Sequence, residues 1–338
     1  MRHSLLLLPL LTCFLPAILL DRSEAQTPGP IDQLADEMHH GMVFRNDSGE
    51  VVGFQASSHK GKIKANPDGR AFQDADITVL EQYPSLVRLE LEKPVLTPGG
   101  MERIAEMSQI EELELWSIQP PPHLKDQLKA LPPAYLEPLD ALKHLRKLDF
   151  KHNRIEVEAL LQLGNYPQLE TLVLDGQLSE AVAIPFIERN PTLKELHLHR
   201  TNLSNEEFGR IIRALPQLER LQLKPANQKP ETVGGRGLRH LQNARHLREI
   251  SLSHKWDEVP YEDGLSHLVG VPGLKLVKID IGEGTERDAL LQRLSEERPD
   301  LLIMGKGVAW YGGELFTDRQ QVRQLKEELQ LNDTWQAH

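Results

Sequence analysis

The sequence of 338 residues contains very little cysteine and few aromatic side chains. Its one cysteine, Cys13, lies inside an N-terminal apolar run, and Phe, Trp and Tyr together make up 5% of the chain. Beyond that run the chain can form no disulfide and offers no thiolate nucleophile or cysteine ligand for a metal. No later apolar run is long enough to cross a bilayer. The sequence therefore predicts neither thiol chemistry nor a membrane span after the N-terminal segment.

The N-terminal segment has the features of a secretory signal peptide. A short polar start precedes an apolar run at residues 5–20 that prolines interrupt, and Ser23-Glu24-Ala25 provides the small residues of a cleavage site. We expect a signal peptide at residues 1–25, cleavage near Ala25, and a secreted or periplasmic mature protein.

Charge and missing motifs restrict the function further. The net charge of −11 repels phosphate backbones and anionic lipid, so we predict no nucleic-acid partner. The zinc-protease, nucleophile-elbow and phosphate-loop motifs are all absent. The carboxylates would suit an enzyme such as a glycan hydrolase using Glu90 and Glu114. The open, curved sheet that the repeats below predict, however, offers no deep pocket for a substrate. We therefore predict a protein that catalyses no reaction and needs no cofactor.

Leucine at a fixed spacing is what the chain has in abundance. The pattern Leu-x-x-Leu-x-Leu, with related apolar residues at some positions, recurs at intervals of 24 to 35 residues; its copies begin at Leu86, Ile110, Leu145, Leu169, Leu193, Leu218, Leu247 and Leu274. Such a period predicts a stack of similar units, each burying its apolar face against its neighbours. We interpret each unit as a strand, a loop, a helix and a loop.

One copy extends over a longer pattern, Leu145-x-x-Leu148-x-Phe150-x-x-Asn153-x-Ile155. On this pattern the chain resembles the leucine-rich repeat superfamily, and its repeat length and helices make it similar to the ribonuclease-inhibitor-like subclass. The resemblance covers roughly residues 50–305. Extracellular animal and plant members of this superfamily usually have disulfide-bonded caps, for which this chain lacks the cysteines, so the resemblance implies a bacterial exported member. It implies an α/β fold: a curved leucine-rich repeat solenoid with parallel strands on the concave face and helices on the convex face. It also implies a non-catalytic module for protein–protein interaction, and it leaves the partner open.

The same reading divides the chain into segments. We expect an N-terminal flank at residues 26–48, the solenoid at 49–308 and a C-terminal cap or tail at 309–338. A proline-rich insertion at about 118–138 is expected to form a protruding loop. Cap signals predict helices that begin near Thr97, Ser204 and Thr285, and apolar spacing predicts a further helix between Thr317 and Leu331.

Alternation along each strand sends the leucines into the core and the residues between them onto the concave surface. Across the stack these residues form three columns. The first column runs Arg88, Glu112, Lys147, Thr171, Glu195, Arg220, Glu249, Leu276. The second column runs Gln55, Glu90, Glu114, Asp149, Val173, His197, Gln222, Ser251, Lys278. The third column runs Ser57, Glu92, Trp116, Lys151, Asp175, His199, Lys224, Ser253, Asp280.

The second column places three carboxylates side by side, which should raise at least one carboxylate pKa. The neighbouring Trp116 adds a large aromatic ring to the same charged surface, a composition typical of binding hot spots. We therefore predict that a basic protein or peptide segment binds the residues Glu90, Glu92, Glu112, Glu114, Trp116 and Asp149. Two alternatives stay open. The face could simply be solvated, with Trp116 packed on the insertion, or Trp116 could stack on a carbohydrate or cell-envelope polymer.

A second candidate site contains two histidines at alternate positions of one strand. His197 and His199 point the same way, and Asp175 on the neighbouring strand could complete a zinc ligand set. A pair of surface histidines also arises easily by chance in a chain with 14 of them. In the first and third columns, charges of alternating sign predict exposed cross-strand ion pairs, including one between Lys151 and Asp175.

Overall fold

The structure, a computed structural model, describes residues 28–57, 66, 68–126, 128–175, 180–201, 203–225, 235–253, 260–280, 285–305 and 307–331. The expected signal peptide at residues 1–25, including Cys13, lies outside the described residues. Export and the final location therefore stay predictions. None of the helices in the described segments has the length and apolar character needed to span a bilayer.

The described strands form one open sheet in which the spatial order is the order in the chain. Neighbours from β2 to β11 pair in parallel, whereas β1–β2, β11–β12 and β12–β13 are antiparallel. The strands are β1 His40–Arg45, β2 Val51–Ser57, β3 Arg88–Glu92, β4 Glu112–Trp116, β5 Lys147–Asp149, β6 Thr171–Asp175, β7 Glu195–Thr201, β8 Arg220–Pro225, β9 Glu249–Ser253, β10 Leu276–Asp280, β11 Leu302–Gly305, β12 Val308–Tyr311 and β13 Glu314–Phe316. This open sheet of repeated parallel strands confirms the predicted curved leucine-rich repeat solenoid.

Helical segments connect successive strands, so each unit returns to the same edge of the sheet. The α-helices are α1 Pro30–Glu37, α2 Ile77–Leu80, α3 Pro98–Glu106, α4 Pro133–Leu136, α5 Val157–Gln162, α6 Glu180–Glu188, α7 Asn205–Ala214, α8 Thr285–Glu297 and α9 Arg319–Glu328. In two units the connecting helix is instead of the 3-10 type, at Gly235–Asn243 and Leu265–Gly270. The regular α-helix that the resemblance implied for every unit is therefore not general, and the ribonuclease-inhibitor-like subclass is not confirmed.

Two predicted helix starts show the expected capping contacts. The hydroxyl of Thr97 accepts a hydrogen bond from the Gly100 N–H at 3.2 Å. Ser204 and Glu207 form a capping box, because the Ser204 N–H donates to the Glu207 carboxylate at 2.8 Å while the Ser204 hydroxyl accepts from the Glu207 N–H at 3.3 Å. These contacts satisfy backbone donors that the first helical turn leaves free. These contacts fix the residues at which α3 and α7 begin.

The motif leucines form a continuous core between the sheet and the helices. The second leucine of each copy is fully buried across the central units, at positions Leu89, Leu113, Leu148, Leu172, Leu196 and Leu221. Parallel strands place these side chains about 4.8 Å apart, so each leucine packs on the equivalent one in the next unit. The core therefore requires leucine at the inward positions and leaves the concave positions free to vary.

Buried asparagines connect the turns between units. The Oδ1 atom of Asn153 accepts from the Ile118 N–H at 2.8 Å, and its Nδ2 donates to the Leu115 carbonyl at 2.6 Å. Asn190, which the sequence pattern did not single out, accepts from the Tyr166 N–H at 2.8 Å. Each amide thus satisfies backbone groups that the sheet does not pair.

The proline-rich insertion is less protruding than predicted. Leu131, Tyr135, Leu136 and Leu139 are buried, and the Tyr135 hydroxyl donates to the Leu96 carbonyl at 3.0 Å. The second half of the insertion therefore belongs to the core, because apolar side chains at helical spacing bury against α3 and its neighbours. The exposed part is a short stretch around the 3-10 helix Pro122–Leu124.

Both ends of the sheet contain strands that the repeat pattern does not predict. The strand that contributes Gln55 and Ser57 to the predicted columns is β2, and β1 precedes it as a hairpin partner. After β10, the strand of the last motif copy, β11 adds a parallel strand, and β12 and β13 extend the sheet further.

The C-terminal helix α9, also predicted, covers the concave face of these last strands. Leu276 of the first column and its register partner Leu302 belong to a small core separate from the main one. Val322, Leu325 and Leu329 of the C-terminal segment pack against this small core.

Candidate functional site on the concave face

The strand register aligns the concave residues in the first two predicted columns. Glu90 pairs with Glu114, and Glu114 pairs with Asp149, so three carboxylates lie in one row across β3, β4 and β5. We call these three residues the acidic cluster. In the third column, Asp175 pairs with His199, and His199 pairs with Lys224. The alternation rule thus correctly predicted which side chains are neighbours.

The acidic cluster is buried, which the sequence did not anticipate. Glu90, Glu114 and Asp149 are 8%, 3% and 5% exposed. The Lys147 ammonium contacts Glu114 at 2.6 Å, and the Arg88 guanidinium contacts Glu90 at 3.1 Å. Neighbouring long side chains on the crowded concave face therefore cover the carboxylates. The cluster forms the floor of the surface, and a partner would meet the residues around it first.

The pKa values in the cluster reflect crowding of like charge. Burial, and then the charge of Glu114, raise the pKa of Asp149 to about 7. Burial and Glu114 also raise the pKa of Glu90, although Arg88 opposes them. Burial acts to lower the pKa of Lys147, but the Glu114 carboxylate outweighs it and raises that pKa. The predicted upward shift of a carboxylate is therefore confirmed, and burial is its largest cause.

More accessible groups surround the buried cluster. Trp116 is half-buried, and the Lys151 ammonium lies 5.3 Å from the centroid of its indole ring, in a cation–π contact. The Glu112 side chain is 43% exposed and lies 3.7 Å from the Arg88 guanidinium. Glu92 accepts a hydrogen bond from the Ser57 hydroxyl and pairs with Trp116 in the register. The structure therefore places all six predicted residues on one continuous patch spanning β3 to β5.

Asp175 has different partners from the one that the sequence predicted. Its Oδ1 atom contacts the Arg200 Nε at 2.6 Å, and its Oδ2 atom accepts from the His152 N–H at 3.0 Å. Lys151, the predicted partner, instead lies over Trp116. The predicted Lys151–Asp175 ion pair was therefore wrong, because His152 and Arg200, which directly follow third-column residues, reach the carboxylate.

The residue that follows the third column has a recurrent backbone conformation. Lys93, Ser117, His152 and Arg200 all have φ between 51° and 61°, the left-handed region that residues other than glycine rarely adopt. Each of them directly follows a third-column residue, so the chain makes the same turn in four units. This turn creates a fourth column along one margin of the concave face. Continuing the periodic pattern one residue past each third-column position would have found it.

The predicted zinc ligands are engaged by protein partners. The Nε2 atom of His197 lies 2.7 Å from Glu195 Oε1, and the Nε2 atom of His199 lies 2.9 Å from Gln222 Oε1. The two imidazoles stack with centroids 6.0 Å apart. Asp175 contacts Arg200 and His152 as described above, so the three side chains do not converge on one point. Within the described segments, no group of three or more His, Cys, Asp or Glu side chains could hold a metal ion.

Burial sets the protonation state of the central histidine. Burial first, and then the charges of His197 and Lys224, lower the pKa of His199 to about 4, although Gln222 and Asp175 oppose them. His199 is therefore neutral near pH 7. In contrast, the His197 and Arg220 contacts outweigh burial and lower the pKa of Glu195 to about 2. The centre of the concave face thus contains a neutral imidazole between charged neighbours.

Comparison with solved structures finds many matching chains, and two leucine-rich repeat proteins are among them. One is the internalin InlF from Listeria monocytogenes str. 4b F2365, with a TM-score of 0.43 and 14% identity over 84% of this chain and 79% of that protein. The other is the leucine-rich repeat-containing protein LegL7 from Legionella pneumophila, with a TM-score of 0.41 and 12% identity over 72% of this chain and 98% of that protein. Comparison with protein-family models finds no match, and comparison with curated proteins finds none. The description of the fold therefore rests on the repeat pattern and the strand register.

Proposed function

We propose that this chain is a non-catalytic binding module that recognises a protein through the concave face of β3 to β8. The observation that carries the proposal is the in-register acidic cluster Glu90, Glu114 and Asp149. The fold needs only the inward leucines of these strands, and three adjacent buried carboxylates oppose stability. Residues that conflict with local stability are common at functional sites. Here the conflict lies in the middle of the surface that a solenoid offers to partners.

The accessible residues around the cluster indicate the chemistry of the partner. Trp116 provides an aromatic anchor next to charged side chains, the composition from which protein hot spots are built. The exposed carboxylate of Glu112 could receive a Lys or Arg side chain of a basic segment. Lys151 contacts the Trp116 ring, so a sugar that stacked on the same side would first have to displace it. For this reason we favour a protein partner over a polysaccharide.

We also propose that the mature protein acts outside the cytoplasm, since residues 1–25 have the composition of a signal peptide. In that case the partner would be a periplasmic or extracellular protein, or an exposed segment of one. The lack of cysteine in the mature chain agrees with function in either redox environment.

The test is a pull-down with residues 26–338 as bait, using lysate and culture medium of the source organism. The variant is Trp116→Ala with Glu112→Lys, which changes accessible groups and leaves the buried cluster in place. The matched control is Leu161→Ala with Glu158→Lys, which makes the same kinds of change on the exposed surface of α5. Melting curves must show that both variants fold like the wild type.

We expect a specific protein that the wild type and the control retain and that the concave variant loses. Equal retention by all three forms would overturn the proposed site. Retention of a polysaccharide without any protein would overturn the protein-binding function. Direct reversal of Glu114 is unsuitable as a first variant, because a lysine there would bury a second ammonium group beside Lys147.

A further inference from the structure

The concave face changes from charged to apolar at its C-terminal end. In the first column, Glu249 on β9 is the register neighbour of Leu276 on β10, and Leu276 is the register neighbour of Leu302 on β11. Both leucines are buried in the small core, against which α9 and the residues after it pack. The chain therefore provides its own occupant for one end of the concave face.

One narrow apolar stripe attaches α9 to this surface. Val322, Leu325 and Leu329 pack against the small core and are half-buried, and no residue of α9 is fully buried. Apart from Val322 and Leu325, the helix consists only of charged and amide residues. In contrast, α7 buries Phe208 and Ile211 completely. The helix α9 thus lies on the surface of the solenoid, whereas α7 is part of its core.

A buried carboxylate beside α9 lacks a hydrogen-bond partner. Glu249 is 6% exposed, and among the described residues none donates to its Oε2 atom. Its register neighbours are Arg220, which contacts another carboxylate, and the apolar Leu276. Burial raises the pKa of Glu249, although the charges of Arg220 and, from α9, Lys326 oppose this shift. A buried acceptor without a donor is costly, so the arrangement with α9 in place leaves a contact to be gained.

A second helix that displaces α9 must make a contact that α9 lacks. Tethering gives α9 an effective concentration on the order of millimolar, so a free helix with equal contacts would leave it in place. A donor placed over Glu249 supplies the missing contact, and hydrogen bonds to charged groups are stronger than those between neutral groups. Arginine suits this position, because its guanidinium presents several donors at the end of a long side chain.

We propose that the concave surface of β9 to β11 is a second docking surface, which α9 covers in the free protein and which an amphipathic partner helix with an arginine over Glu249 occupies by displacing α9. The apolar stripe of this partner repeats the spacing of Val322, Leu325 and Leu329, which places the side chains on one face of a helix. An extended segment fits less well, because the apolar residues of β10 and β11 already pack on a helical stripe. The surface lies outside β3 to β8, so this inference does not depend on the proposed function.

The experiment uses residues 26–338 and two fluorescein-labelled peptides. The probe has the sequence of residues 317–331 with Lys326→Arg, and the control peptide has in addition Val322→Asp and Leu325→Asp, which remove the apolar stripe. Hydrogen exchange with mass spectrometry follows the amides of α9 in the wild-type protein as each peptide is added.

Fluorescence anisotropy measures binding of the probe to three forms of the protein. These are the wild type, a release variant and a matched control variant. The release variant has Val322→Asp with Leu325→Asp, which frees α9 from the small core. The control variant has Gln321→Asp with Gln324→Asp, which adds the same charge on the exposed side of α9.

We expect the probe to increase amide exchange in α9 of the wild type, whereas the control peptide leaves it unchanged. The release variant should bind the probe at least tenfold more tightly than the wild type and the control variant, because its docking surface is uncovered. Adding Glu249→Gln to the release variant should weaken binding about threefold or more, since the charge of the acceptor is lost.

Two results would overturn the proposal. If the probe leaves exchange in α9 of the wild type unchanged at every concentration, α9 is a permanent cap. If the release variant binds the probe no better than the control variant does, the uncovered surface binds no helix. Equal binding with and without Glu249→Gln would overturn the role assigned to Glu249. The exchange measurement needs no variant, so it decides the proposal even if the release variant does not fold.

Discussion

Arg200 reaches over the edge of the concave face and places its Nε atom 2.6 Å from the Oδ1 atom of Asp175. The carboxylate is 2% exposed, whereas the arginine side chain is 55% exposed. Burial alone would raise the pKa of Asp175, but the Arg200 and His152 contacts outweigh it, and the pKa is lowered. The ionised carboxylate in the middle of the concave face therefore depends on a side chain at the margin of that face.

Removing this arginine should destabilise the fold more than removing an arginine from a surface pair. Arg200→Ala leaves a buried carboxylate with fewer donors, and we expect a loss of about 1–3 kcal/mol in the free energy of unfolding. Arg210→Ala, which removes an exposed partner of Glu188, should cost less than about 1 kcal/mol. Urea unfolding at pH 7 measures both. A smaller effect of Arg200→Ala when Asp175→Asn is also present would identify the pair as the cause; equal losses for the two arginines would contradict it.

Much of this surface could be predicted from the sequence, because strand geometry leaves few choices. A period of two along each strand assigns the leucines to the core and the intervening residues to the concave face. A constant repeat then aligns them, which is why Glu90, Glu114 and Asp149 were predicted as neighbours. Their burial could not be predicted in the same way, since it depends on how Arg88 and Lys147 fold over them.

Other features depend on the turns, where no periodic rule applies. The left-handed residues His152 and Arg200 lie just beyond the alternating segment, so the predicted partner of Asp175 was wrong. The burial of the second half of the insertion and the 3-10 helices could not be predicted either, because they depend on side-chain packing in units whose sequence differs from that of the other repeats. Leu276 is an apolar residue in a mostly charged column, and its apolar character is explained by the packing of the C-terminal segment over it.

The contribution of Asp149 to stability should fall as the pH rises through the range in which it ionises, whereas His199, whose pKa is lowered to about 4, changes the stability in the opposite direction in the lower part of this range. Burial raises the pKa of Asp149 to about 7, above the value of about 3.8 in the unfolded chain. Between these two values the folded state binds more protons than the unfolded state, so the free energy of unfolding decreases as the pH increases. We expect Asp149 to contribute about 1–3 kcal/mol to this decrease between pH 4 and pH 8.

The substitution Asp149→Asn isolates this contribution. An amide keeps an oxygen that can accept the Lys151 N–H, which now donates to Asp149 at 2.8 Å. The variant should therefore be more stable than the wild type at pH 8, and its advantage should shrink towards pH 4. Thermal melts between pH 4 and pH 8 measure this stability difference, with Asp126→Asn on the exposed insertion as the control. A stability difference that does not change with pH would show that Asp149 does not titrate in this interval.

Asn153 should be one of the most sensitive polar positions in the chain. Its side chain satisfies the Ile118 N–H and two carbonyls, at Leu115 and Phe150, inside the solenoid. Asn153→Ala leaves these buried groups without partners, and we expect a loss of about 2–4 kcal/mol. Asn165→Ala, at an exposed position, should change the stability by less than about 0.5 kcal/mol. Denaturant unfolding measures the free energy of unfolding of both variants. Similar losses would show that the buried amide does not connect the units.

The C-terminal helix α9 should be separable from the rest of the solenoid. Val322 and Leu325 pack against the small core that contains Leu276 and Leu302, but no residue of α9 is fully buried. In a stack, each unit is stabilised mainly by its neighbours, so a charged residue at this contact should free α9 and leave distant units folded. Val322→Asp with Leu325→Asp should therefore increase binding of an apolar dye and amide exchange in β10 to β13.

The same substitution should leave amide exchange in β5 to β7 unchanged, because the main core there includes none of these residues. Gln321→Asp with Gln324→Asp adds the same charge on the exposed side of α9 and should alter neither measurement. If exchange rises throughout the sheet, α9 stabilises the whole stack and not only its end. If neither quantity changes, Leu276 and Leu302 are covered by the β12–β13 hairpin alone, and α9 makes no stabilising contact with the concave face.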